Sequence, residues 1–244
     1  MNFKMKDWKT IASVFLLGVV MVLFTSCLSS NEYKPVAYAF FTINRTTTSA
    51  SGIVLVQDLT GHKFYPSAKS VTDLGGLKGL ERAFLEFTFQ DGEKYVEGKT
   101  EFKIDLVNYG RSFGIQTKSL CTRPDTLCND SISKFSSMWA DRGYVTTLAD
   151  VYVSDRVFVD MTKEGIGNDT LYLKLNQNLL RSENNKNGYK VDYAYNSFRL
   201  PSSDDLRKEG IQTKEDSIVV AVSAKVAKNR SAQTEYLYCK YKLD

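Results

Sequence analysis

Short segments in which apolar and polar residues alternate recur along most of this chain, and this pattern most strongly limits its fold. Apolar side chains at every second position are typical of β-strands with one buried face. Residues 83–89, for example, place Ala83, Leu85, Phe87 and Phe89 on one face. Because the spacing typical of amphipathic helices is almost absent, the sequence predicts an all-β protein.

Five of these segments lie in residues 35–117, with turn signals between them. The predicted strands are residues 36–43, 52–58, 62–66, 83–89 and 101–109. We predict turns at Thr60-Gly61 and Asp91-Gly92, and a long loop over the glycine-containing residues 67–80. Five short strands within about 75 residues fit a small barrel.

A second set of alternating segments follows in residues 143–244. The predicted strands are residues 144–153, 156–161, 170–176, 189–199, 216–225 and 233–242. Six strands at regular spacing predict an antiparallel β-sandwich. Residues 118–142 are polar and break the pattern, so we predict a linker there.

Residues 201–210 are the one helix candidate. They carry a serine cap, Asp204 and Asp205 in the first turn, and Gly210 at the end. Two neighbouring carboxylates suggest acid–base chemistry, but the helix dipole explains their placement better. We therefore predict a surface helix.

Residues 1–26 are predicted to be a bacterial lipoprotein signal peptide. Lysines near the start precede an uncharged apolar run, residues 11–24, which is shorter than the roughly 20 residues of a transmembrane helix. Thr25 and Ser26 then lead into Cys27. This arrangement resembles a bacterial lipobox, in which the cysteine thiol receives a lipid and the chain is cut before it. An ordinary secretory signal is the alternative.

Cys27 is therefore the predicted lipid attachment site, and residues 27–34 are the predicted lipidated tether. Several acyl chains, such as palmitate, together anchor a protein stably in a membrane. Leu28 rather than an acidic residue follows the cysteine, which favours the outer membrane. No dense acidic stretch follows either, so we predict the periplasmic face rather than the cell surface.

The charge balance argues against a nucleic-acid partner. Cleavage before Cys27 removes three lysines and one aspartate from the 32 basic and 28 acidic residues, which leaves 29 and 27 and a net charge of about +2. The chain has no long basic block. We therefore predict no binding to nucleic acid.

Cys121 and Cys128 are predicted to form a disulfide, because both lie close together in a chain that is predicted to leave the cytoplasm. Closing so short a loop contributes roughly 2.5 kcal/mol. A metal site is the alternative, but His62 is the only histidine and no second cysteine pair is present. We predict no metal. Cys239, in a strand-like segment, is predicted to be a buried small hydrophobe.

We predict no catalytic residue and no cofactor. Nucleophilic triads usually need a histidine base, and His62 lies in a predicted hairpin with no Gly-x-Ser-x-Gly stretch in the chain. A hydrolase that works with two carboxylates alone is the alternative. The protein is therefore predicted not to be an enzyme.

The 14 tyrosines are candidate contact residues. Tyr189, Tyr193 and Tyr195 form a cluster that could bind a glycan or a protein strand. The alternative is that they simply share one face of a sheet.

Four Asp-Ser/Thr-aliphatic triplets resemble an O-glycosylation pattern used on exported proteins of some Gram-negative bacteria. They are residues 125–127, 130–132, 169–171 and 216–218. The alternative is that a turn acid, a small polar residue and an aliphatic residue begin a strand.

In its order of features the chain resembles the NigD-like lipoprotein family, which is named after a gene linked to bacteriocin production. The stretches that carry the resemblance are GIVLVQDLTGHKFYPS (52–67), LEFTF (85–89), FKIDL (102–106), Gly143-Tyr144, RVFVD (156–160), LYLKLN (171–176) and NSFRLP (196–201). The resemblance implies an OB-like barrel domain over residues 35–117, followed by a β-sandwich domain over residues 143–244. It carries over no functional residues.

The expected function is that of a non-catalytic cell-envelope lipoprotein. Family resemblance implies a binding module with a bacteriocin-immunity-like role. The alternative is a structural or assembly accessory, or a glycan-binding lipoprotein of the outer membrane. The expected partners are the membrane, through the lipid on Cys27, and an envelope protein or glycan.

Overall fold

The structure of the protein is a computed structural model that describes residues 34–107, 113–121, 130–153, 156–180, 190–228 and 231–243. These residues form strands β1 to β14 and helices α1 and α2. In chain order they are β1 Ala37–Arg45, β2 Ile53–Gln57, β3 Lys63–Pro66, α1 Ala68–Asp73, β4 Arg82–Phe89, β5 Glu101–Val107, β6 Phe113–Ile115, β7 Thr117–Ser119, β8 Lys134–Asp141, β9 Tyr144–Val153, β10 Arg156–Gly167, β11 Thr170–Leu180, β12 Lys190–Arg199, α2 Ser203–Lys208, β13 Ser217–Lys228 and β14 Ser231–Lys242. The predicted all-β class is confirmed.

The first five strands close into a barrel. They are hydrogen-bonded in the order β1-β2-β3-β5-β4, and β4 pairs in turn with β1. The β3–β5 pair is parallel and the other pairs of the barrel are antiparallel. This is the Greek-key strand order of an OB-like barrel, so the predicted OB-like barrel is confirmed.

Alternating residues fill the interior of the barrel. In β5, Phe102, Ile104 and Leu106 are buried, whereas Glu101 and Lys103 are exposed. The interior residues include Phe41, Ile43, Ile53, Leu55, Phe64, Val71, Leu77, Ala83, Leu85 and Phe87. The two-residue period of the sequence is thus the period with which side chains enter this core.

The prediction that residues 67–80 form a loop is wrong, because α1 and a 3-10 turn at Gly75–Leu77 lie there. The side chain of Ser67 caps α1 by accepting a hydrogen bond from the backbone N–H of Ser70. Val71 enters the barrel core. A six-residue helix is too short to show a helical repeat of apolar residues. The neighbouring glycines therefore led to the prediction of a loop.

The remaining strands form two four-stranded sheets, named here the inner sheet and the outer sheet. The inner sheet has the order β7-β12-β9-β8, and the outer sheet has the order β10-β11-β13-β14. One hydrophobic core lies between them, with Val145, Ala149, Val151 and Phe198 from the inner sheet and Leu171, Leu173, Leu175, Val220 and Val222 from the outer sheet. The predicted sandwich is therefore confirmed.

The sandwich is not purely antiparallel. Strands β11 and β13 are parallel neighbours, and so are β7 and β12. Parallel strands need a crossover connection, and between β11 and β13 the chain passes through β12 in the other sheet and then through α2. A sequence of strand-like segments does not show which strands are neighbours.

Single elements match the predictions to different degrees. Strand β9 has the predicted bounds, and α2 lies within the predicted helix with Ser202 as its cap. Strand β8, however, lies in residues 118–142, where the sequence predicts a linker. A bulge between Phe135 and Ser137 breaks its alternation, which explains why the pattern did not show it.

Candidate functional site

The inner sheet turns its outward face toward the barrel, and the contact between them is named here the junction. Phe40 of β1 contacts Trp139 of β8, with 4.9 Å between ring centroids, and Tyr195 of β12, at 4.8 Å. Its neighbour Phe41 is fully buried in the barrel core. Because successive side chains of a strand point to opposite faces, β1 serves the barrel core and the junction at the same time.

A buried ion pair lies in the middle of the junction. Arg82 of β4 donates to Asp58, and the two side chains are only 1% and 5% exposed. Arg82 also donates to Thr42 and to Thr146 of the inner sheet, both at 3.1 Å. From the other side, the indole Nε1 of Trp139 donates to Oδ2 of Asp58 at 2.7 Å. One cluster of polar side chains thus connects the barrel to the inner sheet.

Burial raises the pKa of the Asp58 carboxyl, while Arg82 and the indole of Trp139 act in the opposite direction. Two buried charges stabilise a fold only when all their hydrogen bonds are made, and here Oδ1 of Asp58 and Nε of Arg82 have no hydrogen-bond partner among the described residues, so the pair contributes orientation more than stability. Directional partners such as these accept few other arrangements. The cluster therefore fixes the orientation of the barrel on the sandwich, and we interpret it as a structural contact.

A second group of polar contacts lies at the rim of the junction. Glu81 accepts hydrogen bonds from Thr117 at 2.6 Å, from Tyr144 at 3.2 Å and from Arg199. The hydrogen bond from Thr117 lowers the pKa of Glu81, with a further contribution from Arg199, although partial burial opposes both. These contacts join the segment before β4 to β7, β9 and β12.

The predicted tyrosine cluster divides between the junction and the solvent. Tyr189 lies outside the described residues. Tyr195 packs at the junction, with its ring nearly parallel to that of Phe84 at 6.2 Å, whereas Tyr193 is 73% exposed. Both point to the same side of β12, as expected for residues two apart in a strand. A shared sheet face accounts for these two tyrosines.

Three other tyrosines form an exposed group on the outward face of the outer sheet, named here the tyrosine face. They are Tyr172 of β11 and Tyr236 and Tyr238 of β14, with exposed fractions of 40%, 51% and 62%. Ala221 of β13 pairs with Tyr172 on one side and with Tyr238 on the other. The rings of Tyr236 and Tyr238 are 6.4 Å apart and inclined by only 18°. The tyrosine face thus offers aromatic rings to solvent.

Lysines surround these rings. The described side chains at the outward positions of β11, β13 and β14 include four lysines and no acidic residue. These lysines are Lys174, Lys225, Lys240 and Lys242. The Nζ atom of Lys240 lies 3.5 Å from a carboxylate oxygen of the exposed Glu215, in the turn before β13. Sequence reasoning did not single out the face, because the alternation Tyr236-Leu237-Tyr238 does not show which side of the strand is covered.

The predicted cysteine sites remain predictions. Cys27 and Cys128 lie outside the described residues, so the structure tests neither the lipid attachment nor the disulfide. Cys121 lies beside β10, where its backbone N–H donates to the carbonyl of Met161 at 2.8 Å. Cys239 is half-buried against the sandwich core, and burial raises the pKa of its thiol to about 12, so this thiol is unreactive.

The hydroxyls of two predicted glycosylation triplets are enclosed. Thr170 and Ser217 are only 9% and 6% exposed. Thr170 donates to Asp169 at 3.0 Å, and Ser217 donates to the carbonyl of Glu215 at 3.1 Å. Both residues begin strands, so the strand-start alternative explains these two triplets.

The described residues contain no group of three or more His, Cys, Asp and Glu side chains that could hold a metal ion. His62 instead contacts the rings of Tyr95 and Phe102. Within the same part of the chain, no helix has the length and apolar character needed to cross a bilayer.

Several solved structures resemble this chain. A predicted lipoprotein of Bacteroides fragilis has a TM-score of 0.64 and 12% sequence identity, over 86% of this chain and 99% of that one. A predicted toxin-related protein of Parabacteroides distasonis has a TM-score of 0.56 and 17% identity, over 86% and 95% of the two chains. A NigD-like immunity protein of Bacteroides caccae has a TM-score of 0.48 and 15% identity, over 84% and 94%.

The sequence resemblance names the NigD-like family, and a NigD-like immunity protein is among the solved structures found. No protein-family model and no curated protein matches the chain. At identities this low, structural likeness shows the fold alone. The chain therefore shares its overall fold with the predicted lipoprotein of Bacteroides fragilis and with the predicted toxin-related protein of Parabacteroides distasonis.

Proposed function

We propose that the protein is a lipid-anchored lipoprotein of the outer membrane that binds a partner without converting it. The tyrosine face is the observation that carries this proposal. Exposed, contiguous aromatic residues mark interaction sites on soluble proteins, and tyrosine is among the residues most enriched at such sites. The junction already covers part of the corresponding face of the inner sheet, whereas the described outward side chains of the tyrosine face contact no other domain, so we assign the partner to the tyrosine face.

Two kinds of partner are compatible with such a face. The NigD-like resemblance implies a protein partner in a bacteriocin-immunity-like role. The rings and lysines of the tyrosine face favour the second candidate, a glycan-binding lipoprotein of the envelope, because tyrosines stack on sugar rings while lysines donate hydrogen bonds.

The anchor is tested by Cys27→Ser in the native host. We expect the wild-type protein to incorporate labelled palmitate and to sediment with outer membranes. The Cys27→Ser variant should incorporate no label and should lose membrane association, whereas Cys239→Ser should behave as wild type. Unchanged labelling and fractionation of Cys27→Ser would overturn the anchor.

The disulfide is tested on the exported protein. We expect Cys121 and Cys128 to resist alkylation until a reductant is added, while Cys239 reacts only after unfolding. Full alkylation of Cys121 in the unreduced, unfolded protein would show that the pair is not oxidised.

The binding role is tested by deleting the gene and complementing it. Wild-type protein should restore the property lost on deletion, which is bacteriocin resistance or envelope integrity. The double variant Tyr236→Thr/Tyr238→Thr, still anchored, should not restore it, because it lacks the proposed contact rings. Full complementation by this variant would remove the tyrosine face from the function.

A further inference from the structure

We propose that the tyrosine face binds an acidic polysaccharide, a chain of sugar rings that carries carboxylate groups. This inference rests on the proposed binding function and names the chemical class of its partner. Three features of the face lead to it: exposed rings along one strand, an excess of lysines over acidic side chains, and a position on the side of the sandwich that is opposite the barrel.

The rings provide stacking surfaces. Tyr236 and Tyr238 are two residues apart on the last strand of the outer sheet, and their planes are inclined by only 18°. Their separation of 6.4 Å follows the two-residue repeat of a β-strand. A polymer with a regular repeat can therefore lay successive sugar rings along β14, where each tyrosine presents an apolar ring and a hydroxyl.

The charge selects an anionic ligand. Lys174 of β11, Lys225 of β13, and Lys240 and Lys242 of β14 share the outward side with the tyrosines. On the fourth strand, β10, Asp160 lies at an outward position and accepts a hydrogen bond from Asn176, but lysines still outnumber acidic side chains on this face. A positive patch of this kind attracts a negative partner and repels a positive one.

A second copy of the chain does not fit this face. In a symmetric dimer the same patch lies on both sides of the contact, so the lysines of one copy would oppose the lysines of the other. Such like-charge contacts are unfavourable.

A membrane surface does not fit it either. The described chain enters the barrel at Lys34, just before β1. The inner sheet separates the barrel from the outer sheet, so the tyrosine face lies on the opposite side from the predicted tether. A short tether brings the barrel end of the molecule close to the bilayer, which leaves the tyrosine face directed away from it.

An acidic protein would meet few apolar anchors beside these rings, since the exposed Phe158 lies on β10 at the opposite edge of the sheet. From Thr234 to Lys242, the outward residues of β14 are a threonine, two tyrosines and two lysines, and none is aliphatic. Protein interfaces usually bury a hydrophobic centre. Rings combined with hydrogen-bond donors instead match a polyhydroxylated, anionic chain.

The experiment is affinity electrophoresis of the purified full chain in non-ionic detergent. The probes are polygalacturonate, alginate and hyaluronan, with neutral dextran and the acidic polypeptide polyglutamate as controls. We expect retardation by at least one acidic polysaccharide, none by dextran, and little by polyglutamate. Because lysines contribute, the retardation should weaken as the salt concentration rises.

Variants locate the binding. Tyr236→Thr/Tyr238→Thr should weaken binding at least tenfold, since threonine keeps the strand preference but lacks a ring. Lys240→Gln/Lys242→Gln should weaken it severalfold. Tyr193→Thr is the matched control, since Tyr193 is 73% exposed but lies on the inner sheet, and it should bind as wild type. Thermal unfolding of each variant checks that it is folded.

Three outcomes would overturn the inference: no retardation by any of the acidic polysaccharides, equal retardation by polyglutamate, or equal losses in Tyr193→Thr and Tyr236→Thr/Tyr238→Thr. Equal retardation by polyglutamate would indicate an acidic protein as the partner. If the tyrosine variants fail to complement the deletion strain while no polysaccharide binds, the proposed binding function stands and only the polysaccharide falls.

Discussion

The two sheets of the sandwich use similar residues on their outward faces for opposite purposes. On the inner sheet, Trp139, Thr146 and Tyr195 pack against the barrel, and the first two hydrogen-bond to its buried ion pair. On the outer sheet, Tyr236 and Tyr238 alternate in the same way along β14 but remain in solvent. Alternation thus defines which side chains point outward, while only tertiary contact decides whether that outward face is a structural contact or a free surface.

Among the variants that test this difference between the two faces, Arg82→Met should lower the free energy of unfolding most. It leaves the carboxylate of Asp58 buried without its cation, and loss of one partner of a buried pair costs about 3–5 kcal/mol of unfolding free energy. The measurement is urea unfolding followed by the fluorescence of Trp139, the only tryptophan of the predicted mature chain. The exposed Arg207 of α2 is the control, since Arg207→Met should change stability by less than about 0.5 kcal/mol.

The double variant Asp58→Leu/Arg82→Met sharpens this result. Replacing both charges with apolar residues of similar volume is often neutral or stabilising, so the double variant should recover most of the loss. A loss below about 1 kcal/mol for Arg82→Met alone would show that the pair does not hold the junction.

Trp139→Phe should have the next largest effect. Phenylalanine keeps a ring against Phe40 but removes the hydrogen bond to Asp58, and hydrogen bonds to charged groups contribute about 1.5–3 kcal/mol. We expect a loss of about 2 kcal/mol, measured by circular dichroism during urea unfolding. Tyr172→Phe on the tyrosine face is the matched control and should be neutral. Equal stability of both variants would contradict a structural role for the indole.

The same contrast shows how far the sequence could predict this molecule. The strands of the barrel and β9 follow from alternation, and α2 follows from its cap and its charges. The junction does not, because Asp58, Arg82 and Trp139 are 24 to 81 residues apart in the chain and nothing local indicates that they meet. The sequence does not show whether a basic residue in a strand is buried, as Arg82 is, or exposed to solvent.

The candidate site was predictable to the same limited degree. Tyr193 and Tyr195 stood out because they share one short segment, yet Tyr195 belongs to the junction. The tyrosine face joins Tyr172 to Tyr238 only because β11 and β14 flank β13, and the parallel β11–β13 pairing could not be foreseen from alternation alone.

Tyr195→Thr and Tyr238→Thr compare one tyrosine from each face. Tyr195 contacts the rings of Phe40 and Phe84, so its loss should lower the unfolding free energy by about 1.5 kcal/mol. Tyr238 is 62% exposed, and its loss should cost less than about 0.5 kcal/mol. Thermal unfolding of the two variants under one condition checks the difference. If Tyr238→Thr costs as much as Tyr195→Thr, the tyrosine face contributes to stability and its exposure no longer argues for a binding role.

Glu81→Gln should have the smallest effect, and its signature is a dependence on pH. The hydrogen bond from Thr117, together with Arg199, lowers the pKa of Glu81 below its ordinary value of 4.5. The folded protein therefore holds this proton more weakly than the unfolded chain does. Stabilisation by Glu81 is then fully present above about pH 4.5 and is lost as the pH falls through the lower pKa of the folded state.

Because the side chains of Glu81 and Arg199 are partly exposed, screening by solvent limits the difference at pH 7 to about 0.5 kcal/mol. Urea unfolding of wild type and Glu81→Gln between pH 7 and pH 3 should show the two curves converging at the acidic end. Glu101→Gln is the control, since Glu101 pairs with Lys63 on the barrel surface, where both side chains are 53% exposed. A difference between wild type and Glu81→Gln that grows on acidification would contradict the lowered pKa, and with it the view that the rim of the junction holds this carboxylate in its charged form.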